Sequence, residues 1–338
     1  MSLEEIEMNF NQINETIDIL QKSLEITYLD AFIETSNNLL DNKSVHVEDG
    51  LPNEQDVKIL NQIYKKMNLN TLSAEDVRKV VQLVLLKATR QESIQPNHQI
   101  TPDTIGFLVA FVLEKLISAK KSVSLLDITV GSGNLLTTVL NQMTADKFEI
   151  SKAYGIDNDD TMLSIAGLSG QLQHLNLELF HQDAVDDLIV KKSDVVIADL
   201  PIGYYPLDER VTHFDTHATE GHSYVHHLLI EQSIKYLNDG GFGIFLVPTG
   251  LFETEEAKKL LVYIQSNAYL QGMLNLPVEL FSSSNSRKSI LILQKHGEGS
   301  KQVDEVLLGD FPSLKDEEQF QSFVKTLDKW IKANFNNK

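Results

Sequence analysis

The stretch Leu125-Leu126-Asp127-Ile128-Thr129-Val130-Gly131-Ser132-Gly133-Asn134-Leu135-Leu136 constrains this chain more than any other. The apolar run from Val123 to Ile128 reads as a short buried strand, Gly131 and Gly133 as a tight turn, and Leu135 to Leu140 as a helix. Two glycines one residue apart let backbone approach a ligand where a Cβ would clash. They also leave the N–H groups at the helix start free to donate. A plain βα connection uses the same residue types, so Asp127, expected at the strand end facing the loop, narrows the choice. A carboxylate there repels phosphate, and no Lys-Ser or Lys-Thr follows the glycines. The pattern argues against a nucleoside triphosphate and for a ligand with a positive group.

Two more acids recur at the same kind of position. Ala153 to Ile156 reads as a second strand ending in Asp157, and Leu177 to His181 as a third, followed by Gln182-Asp183-Ala184. Asp127, Asp157 and Asp183 then lie along one edge of a parallel sheet, the edge where α/β proteins bind ligands. A carboxylate ending the second strand can accept from both hydroxyls of a ribose; the alternative is a helix cap, for which Asn158 and Asp159 serve as well. The fourth strand, Asp194 to Ala198, leads into Asp199-Leu200-Pro201-Ile202-Gly203-Tyr204-Tyr205.

In its Asp-x-Thr-x-Gly-Ser-Gly-Asn form, the segment 127–134 resembles the first motif of class I S-adenosylmethionine-dependent methyltransferases, above all those that methylate adenine in DNA. Gln99-Ile100-Thr101-Pro102 is similar to the Phe-x-Thr-Pro segment of type I restriction-modification methyltransferase subunits, and the likeness continues to about Lys295. The resemblance implies S-adenosyl-L-methionine as cofactor, its ammonium on Asp127 and its amino-acid end within Thr129, Gly131, Ser132, Gly133, Asn134 and Leu135. Backbone at Thr101 and Pro102 would lie against its carboxylate, Asp157 and Asn158 at its ribose, and Asp183 and Ala184 at its adenine. Asp199 counts with both the cofactor and the catalytic residues.

Those enzymes carry Asp or Asn, Pro, Pro and an aromatic residue after the fourth strand. The acid or amide and a backbone carbonyl accept from the target amine, and the ring stacks on the flipped base. This chain keeps Asp199 and Pro201, the expected catalytic residues, and departs at Leu200 and Ile202, which with Tyr204 and Tyr205 are expected to line the substrate. Losing the ring costs about 1–3 kcal/mol of stacking unless Tyr204 or Tyr205 replaces it. Adenine in DNA is the substrate the resemblance implies. A protein amide, an RNA base, or cofactor binding without transfer are the alternatives.

From Glu4 to Leu24, Ile6, Phe10, Ile13, Ile17, Leu20 and Leu24 form one apolar seam, suited to an arm of an intramolecular bundle or to an oligomer contact. Further helices are expected at Thr27 to Leu40, Asp56 to Met67 and Ala74 to Thr89, and a polar linker at Gln95 to Gln99. The expected fold class is α/β: a Rossmann-like methyltransferase sheet flanked by helices over 96–300, after an all-helical domain over 1–95 and before a helical extension over 301–338. Thr101, Pro102 and Asp103 suit the cap and first turn of a helix without any ligand. The span from Ile202 to Ser223 has no clear periodicity and is expected to cover the substrate.

The net charge is −19, and the first 60 residues hold 13 acidic against 3 basic side chains, a net of −10. Such a front end repels nucleic acid, which counts against DNA binding by this chain alone. Type I subunits take a target-recognition domain from a partner, so the resemblance implies access to DNA only with a second protein. His213, His217, His222 and His226 recur at helical spacings without a His-Glu-x-x-His pattern, so no metal is expected. Cysteine is absent, which removes disulfides, a thiolate nucleophile and cysteine-bound zinc. No window approaches the roughly 18 apolar residues of a membrane span, and the expected location is the cytoplasm.

Overall fold

The computed structural model describes residues 3–92, 100–117, 120, 122–281, 283 and 286–335. The expected linker Gln95 to Gln99 lies outside the described residues. The elements in order are α1 (Leu3–Leu24), α2 (Tyr28–Leu40), α3 (Glu54–Lys66), α4 (Ala74–Gln91), α5 (Asp103–Leu116), β1 (Ser122–Asp127), α6 (Asn134–Ala145), β2 (Glu149–Asp157) and α7 (Asp160–Leu172). They continue with β3 (Glu178–His181), β4 (Ser193–Asp199), α8 (Val225–Tyr236), β5 (Leu237–Pro248), α9 (Ala257–Asn267), β6 (Ala268–Asn275), β7 (Lys288–Lys295), β8 (Leu307–Asp310) and α10 (Glu317–Asn334). The eight strands form one sheet in the order β3-β2-β1-β4-β5-β7-β6-β8, flanked by helices, so the fold is α/β with a helical N-terminal domain as expected. No described helix is long and apolar enough to cross a membrane.

The chain divides into two compact units, the first made of Met1–Gly106, Val130–Asn141 and Asp157–His181. Its helices start where side chains satisfy the free N–H groups: Thr27 accepts from Asp30, Asn53 from Gln55 and Asp56, and Ser73 from Asp76. Ile13, Ile17 and Leu20 of α1 share one core with Phe32 of α2, Leu60 of α3 and Val84 of α4. Each such side chain contributes about 1.5–3 kcal/mol when fully buried. Met162, Ile165 and Leu172 of α7 join that core. The apolar seam of α1 is therefore covered inside the chain, in a bundle.

The second unit comprises Phe107–Thr129, Gln142–Ile156 and Gln182–Lys338. The runs of Val, Leu and Ile in β1, β4 and β5 are buried, as parallel strands covered on both faces require. β1 is parallel to β2 on one side and to β4 on the other, so the order of strands reverses at β1. The carboxyl ends of strands at such a switch point are where α/β proteins bind ligands. Asp127 and Asp199 are the last residues of β1 and β4. β7 runs antiparallel between β5 and β6, and it brings Lys288 opposite Pro248 at the end of β5. β5 begins at Leu237, opposite Ser193, and a register shift lets Gly240, at φ +71°, pass within the strand.

Candidate active site

In the first unit the glycine loop is held at its backbone N–H groups, by the Asp157 carboxylate and by one carbonyl. The Gly131 N–H donates to Asp157 Oδ2 at 2.7 Å, the Asp159 N–H donates to Asp157 Oδ1 at 2.9 Å, and the Gly133 N–H donates to the Val130 carbonyl at 2.8 Å. Asp159, not Asp157, caps α7, accepting from the Met162 N–H at 2.8 Å. The two roles weighed for Asp157 are thereby separated, and its carboxylate lies at the loop. Asn158 offers its carbonyl to His181 Nε2 at 3.0 Å. Gly131 sits at φ +51°, and no atom lies within 4 Å of where its Cβ would stand. Gly133 sits at φ +82°, where a Cβ would come within 3.1 Å of Ala166 Cβ. Leu135 is buried and Ser132 is half-buried.

Asn134 opens α6 with its side chain fixed. Its Nδ2 donates to the Thr101 carbonyl at 2.7 Å and contacts Asp103 Oδ1 at 3.3 Å, while its Oδ1 accepts from Arg78 Nη1 at 2.9 Å. Thr101 and Pro102 are thus tied to the glycine loop through one amide.

In the second unit Asp127 is buried, and its Oδ1 accepts from the Thr129 N–H at 3.1 Å. The Thr129 hydroxyl reaches the Asp199 carbonyl at 3.4 Å. The Asp199 carboxylate accepts from Lys288 Nζ, 89 residues further on. Sequence reasoning missed Lys288, the first residue of β7: nothing local in Ser286-Arg287-Lys288-Ser289 marks it as a partner of Asp199. Leu200 is buried, and its N–H donates to the Leu246 carbonyl at 3.2 Å, a bond that the proline usual at this position in the resembled enzymes cannot make. Pro201 is half-buried and Ile202 is exposed.

The two tyrosines take different environments. Tyr205 is buried and donates its hydroxyl to Asp183 Oδ2 at 2.8 Å, so burial and this carboxylate push its pKa above the usual phenol value. Asp183 also contacts Arg210 Nη1 at 3.3 Å and accepts from the Val185 N–H at 3.2 Å; Ala184, beside it, is half-buried. Tyr204 is 58% exposed and stacks on Tyr224 with ring centroids 4.8 Å apart. The hydroxyl contact with Tyr204, then burial, push the Tyr224 pKa up to about 12. Of the two, Tyr204 presents its ring to solvent.

The loop expected over 202–223 is ordered by ion pairs and by buried Val211 and Phe214. His222 Nδ1 meets Asp208 Oδ2 at 2.5 Å, Arg210 Nη2 meets Asp186 Oδ1 at 2.5 Å, and the Thr216 N–H donates to buried Glu231 at 2.8 Å. His226 and His227 on α8 are buried, and among the described residues no hydrogen bond reaches either Nδ1. Burial, then His227 and Lys288, bring the His226 pKa down to about 3; burial brings that of His227 down to about 4. Both rings are neutral at pH 7. Among the described residues no three His, Asp or Glu side chains are grouped to hold a metal ion.

A family model described as N-6 DNA methylase matches residues 80–333, and one described as the YtxK N-terminal helical domain matches residues 7–89. The chain belongs to the N-6 DNA methylase family and is an S-adenosylmethionine-dependent methyltransferase. It is 36% identical to the Bacillus subtilis uncharacterized protein YtxK, over 96% of each chain. A crystal structure from Listeria monocytogenes, described as a candidate class I S-adenosylmethionine-dependent methyltransferase, has a TM-score of 0.89 at 41% identity, covering 98% of this chain and 100% of that one. The type I restriction-modification methyltransferase subunit of Streptococcus thermophilus shares the fold, with a TM-score of 0.62 at 12% identity over 96% of this chain and 74% of that one.

The residues present fit S-adenosyl-L-methionine. Within the first unit Gly131 leaves open space where any side chain would project, beside a carboxylate, Asp157, of the kind that accepts from ribose hydroxyls. Within the second, the buried carboxylate of Asp127 suits an ammonium group.

Proposed function

We propose that the protein methylates an exocyclic amino nitrogen, with adenine in DNA as the substrate that its family implies, and that Asp199 orients that nitrogen. The observation that carries the reading is the Asp199 carboxylate, at the carboxyl end of β4 beside Asp127 on β1, already accepting a hydrogen bond from a nitrogen, Lys288 Nζ. When bound, S-adenosyl-L-methionine supplies an electrophilic methyl on its sulfonium. Asp127 takes the cofactor's ammonium; Thr101, Pro102, Thr129, Gly131, Ser132, Gly133, Asn134 and Leu135 take its amino-acid end. Asp157 with Asn158 takes the ribose, and Asp183 with Ala184 takes the adenine. Asp199 and Pro201 hold the target amine so that its lone pair faces the methyl, and alignment of this kind supplies much of the rate in a reaction that needs no covalent intermediate. Lys288 must yield or share the carboxylate when the amine arrives. Tyr204 gives the target a flat apolar face that Ile202 does not.

The acidic surface of the chain supports a division of labour in which a partner protein brings the DNA. Tritium transfer from labelled cofactor to DNA, RNA and cell-protein fractions tests the substrate. Asp199→Ala should abolish transfer with cofactor affinity largely kept. Label found only in RNA or protein would replace DNA as substrate, and the exposed Ile202 favours that second reading. Silence in every fraction, with cofactor still bound, would leave a binding protein.

A further inference from the structure

We infer that Arg78, on helix α4, is a positioning residue for the amino-acid end of the cofactor; this rests on the cofactor reading above. Arg78 is 1% exposed. Its guanidinium meets Glu75 through Nε at 2.8 Å and Nη2 at 2.7 Å, Asp103 through Nη1 at 2.6 Å and Nη2 at 2.8 Å, and Asn134 Oδ1 through Nη1 at 2.9 Å. All five guanidinium N–H donors thus have an acceptor. Burial works against the charge, but the Glu75 and Asp103 carboxylates more than offset it and hold the pKa above the usual guanidinium value. Gln82 adds a 2.5 Å bond to Asp103 Oδ1.

The consequence lies in what the last of these contacts does to Asn134. Arginine can only donate, so it fixes the Asn134 amide with Oδ1 toward α4 and Nδ2 toward Thr101. The Thr101 carbonyl and the first residue of α6 are then locked together, and Gly133, the residue before, inherits that register. Asp103, in the first turn of α5, is gripped by the same guanidinium two residues after Thr101. A side chain of the helical domain therefore sets the spacing between the Thr101-Pro102 backbone and the glycine loop, the two segments assigned to the methionine part of the ligand. The helical domain is by this route part of the cofactor site without touching the cofactor.

The test compares two thioether ligands that differ only in that end. S-adenosylhomocysteine carries the amino-acid group; methylthioadenosine lacks it. By calorimetry, Arg78→Met should weaken S-adenosylhomocysteine by about tenfold to a hundredfold, the range lost with one charge-assisted hydrogen bond, and leave methylthioadenosine affinity unchanged. Removing one partner of a buried ion group can unfold a protein, so Arg78→Lys, which keeps the charge and loses the fork, is measured beside it. Arg78→Lys should show the same ligand discrimination in a protein whose circular dichroism matches the parent. Equal losses for both ligands, or no loss for either in a folded variant, would overturn the inference. A parent protein that binds neither ligand would instead reject the cofactor assignment itself.

Discussion

The glycine loop at 130–134 and the longer loop at 200–224 both leave the carboxyl end of a buried strand, yet different chemistry holds them. The first is fixed by backbone N–H groups: Gly131 on Asp157, Gly133 on Val130. The second is fixed chiefly by side chains: His222 on Asp208, Arg210 on Asp186, Tyr205 on Asp183, with Lys288 on the Asp199 carboxylate at its root. A loop pinned at its backbone N–H groups keeps one shape. A loop held by side chains can exchange those partners by rotamer changes.

The largest expected effect on the second region is one of pH. His226 and His227 have pKa values near 3 and 4 in the fold against 6.5 for the free side chain. Below pH 6.5 the unfolded chain binds protons that the folded chain refuses, so stability is complete above 6.5 and falls as pH drops toward 4 and then 3. The loss is on the order of a few kcal/mol over both rings. Urea unfolding at pH 7.5 and 5.0 measures it, and an unchanged midpoint would show that the rings are not buried neutral.

A smaller effect distinguishes the glycine loop. Asp157→Ala strands the Gly131 and Asp159 N–H groups and removes the proposed ribose acceptor. Cofactor affinity should fall by about 1–3 kcal/mol in calorimetry, while Asp199→Ala leaves it nearly intact. The reverse order would exchange the two regions' roles. Gly133→Ala puts a Cβ at φ +82° and 3.1 Å from Ala166, which should cost about 1–2 kcal/mol of stability in thermal unfolding. At Gly131 the Cβ meets open space and only the backbone term remains. The smallest effect is at Lys288→Met, which leaves Asp199 to the target amine alone. It should lower the target KM severalfold and leave cofactor affinity alone; a raised KM would make Lys288 a substrate contact.

Much of this was legible in the chain because the determinants are local. The strand ending in Asp127, the Gly-x-Gly turn and the next helix depend on residues adjacent in sequence, and β1 and α6 lie where periodicity placed them. β6 was not visible, since Gln271 and Gly272 break its apolar run. Gln271 is buried because Gln294 Oε1 and the Lys301 carbonyl, each 2.8 Å away, satisfy its amide. Polarity that reads as surface is here a cross-strand pair. The four-residue strand β8 carries two apolar residues and is recognised only through its pairing with β6.

The sequence by itself determined the α/β class, the family likeness and the acids that end the strands, because pattern and glycine placement act over a few residues. Only the tertiary structure decided what each polar group faces. It paired Asp199 with Lys288, turned Tyr205 to Asp183 and Tyr204 outward, and assigned the α7 cap to Asp159. It also placed Arg78 of the helical domain on Asn134. These contacts join residues up to 89 positions apart, and a hydrogen bond depends on distance and angle in space, which linear order does not specify.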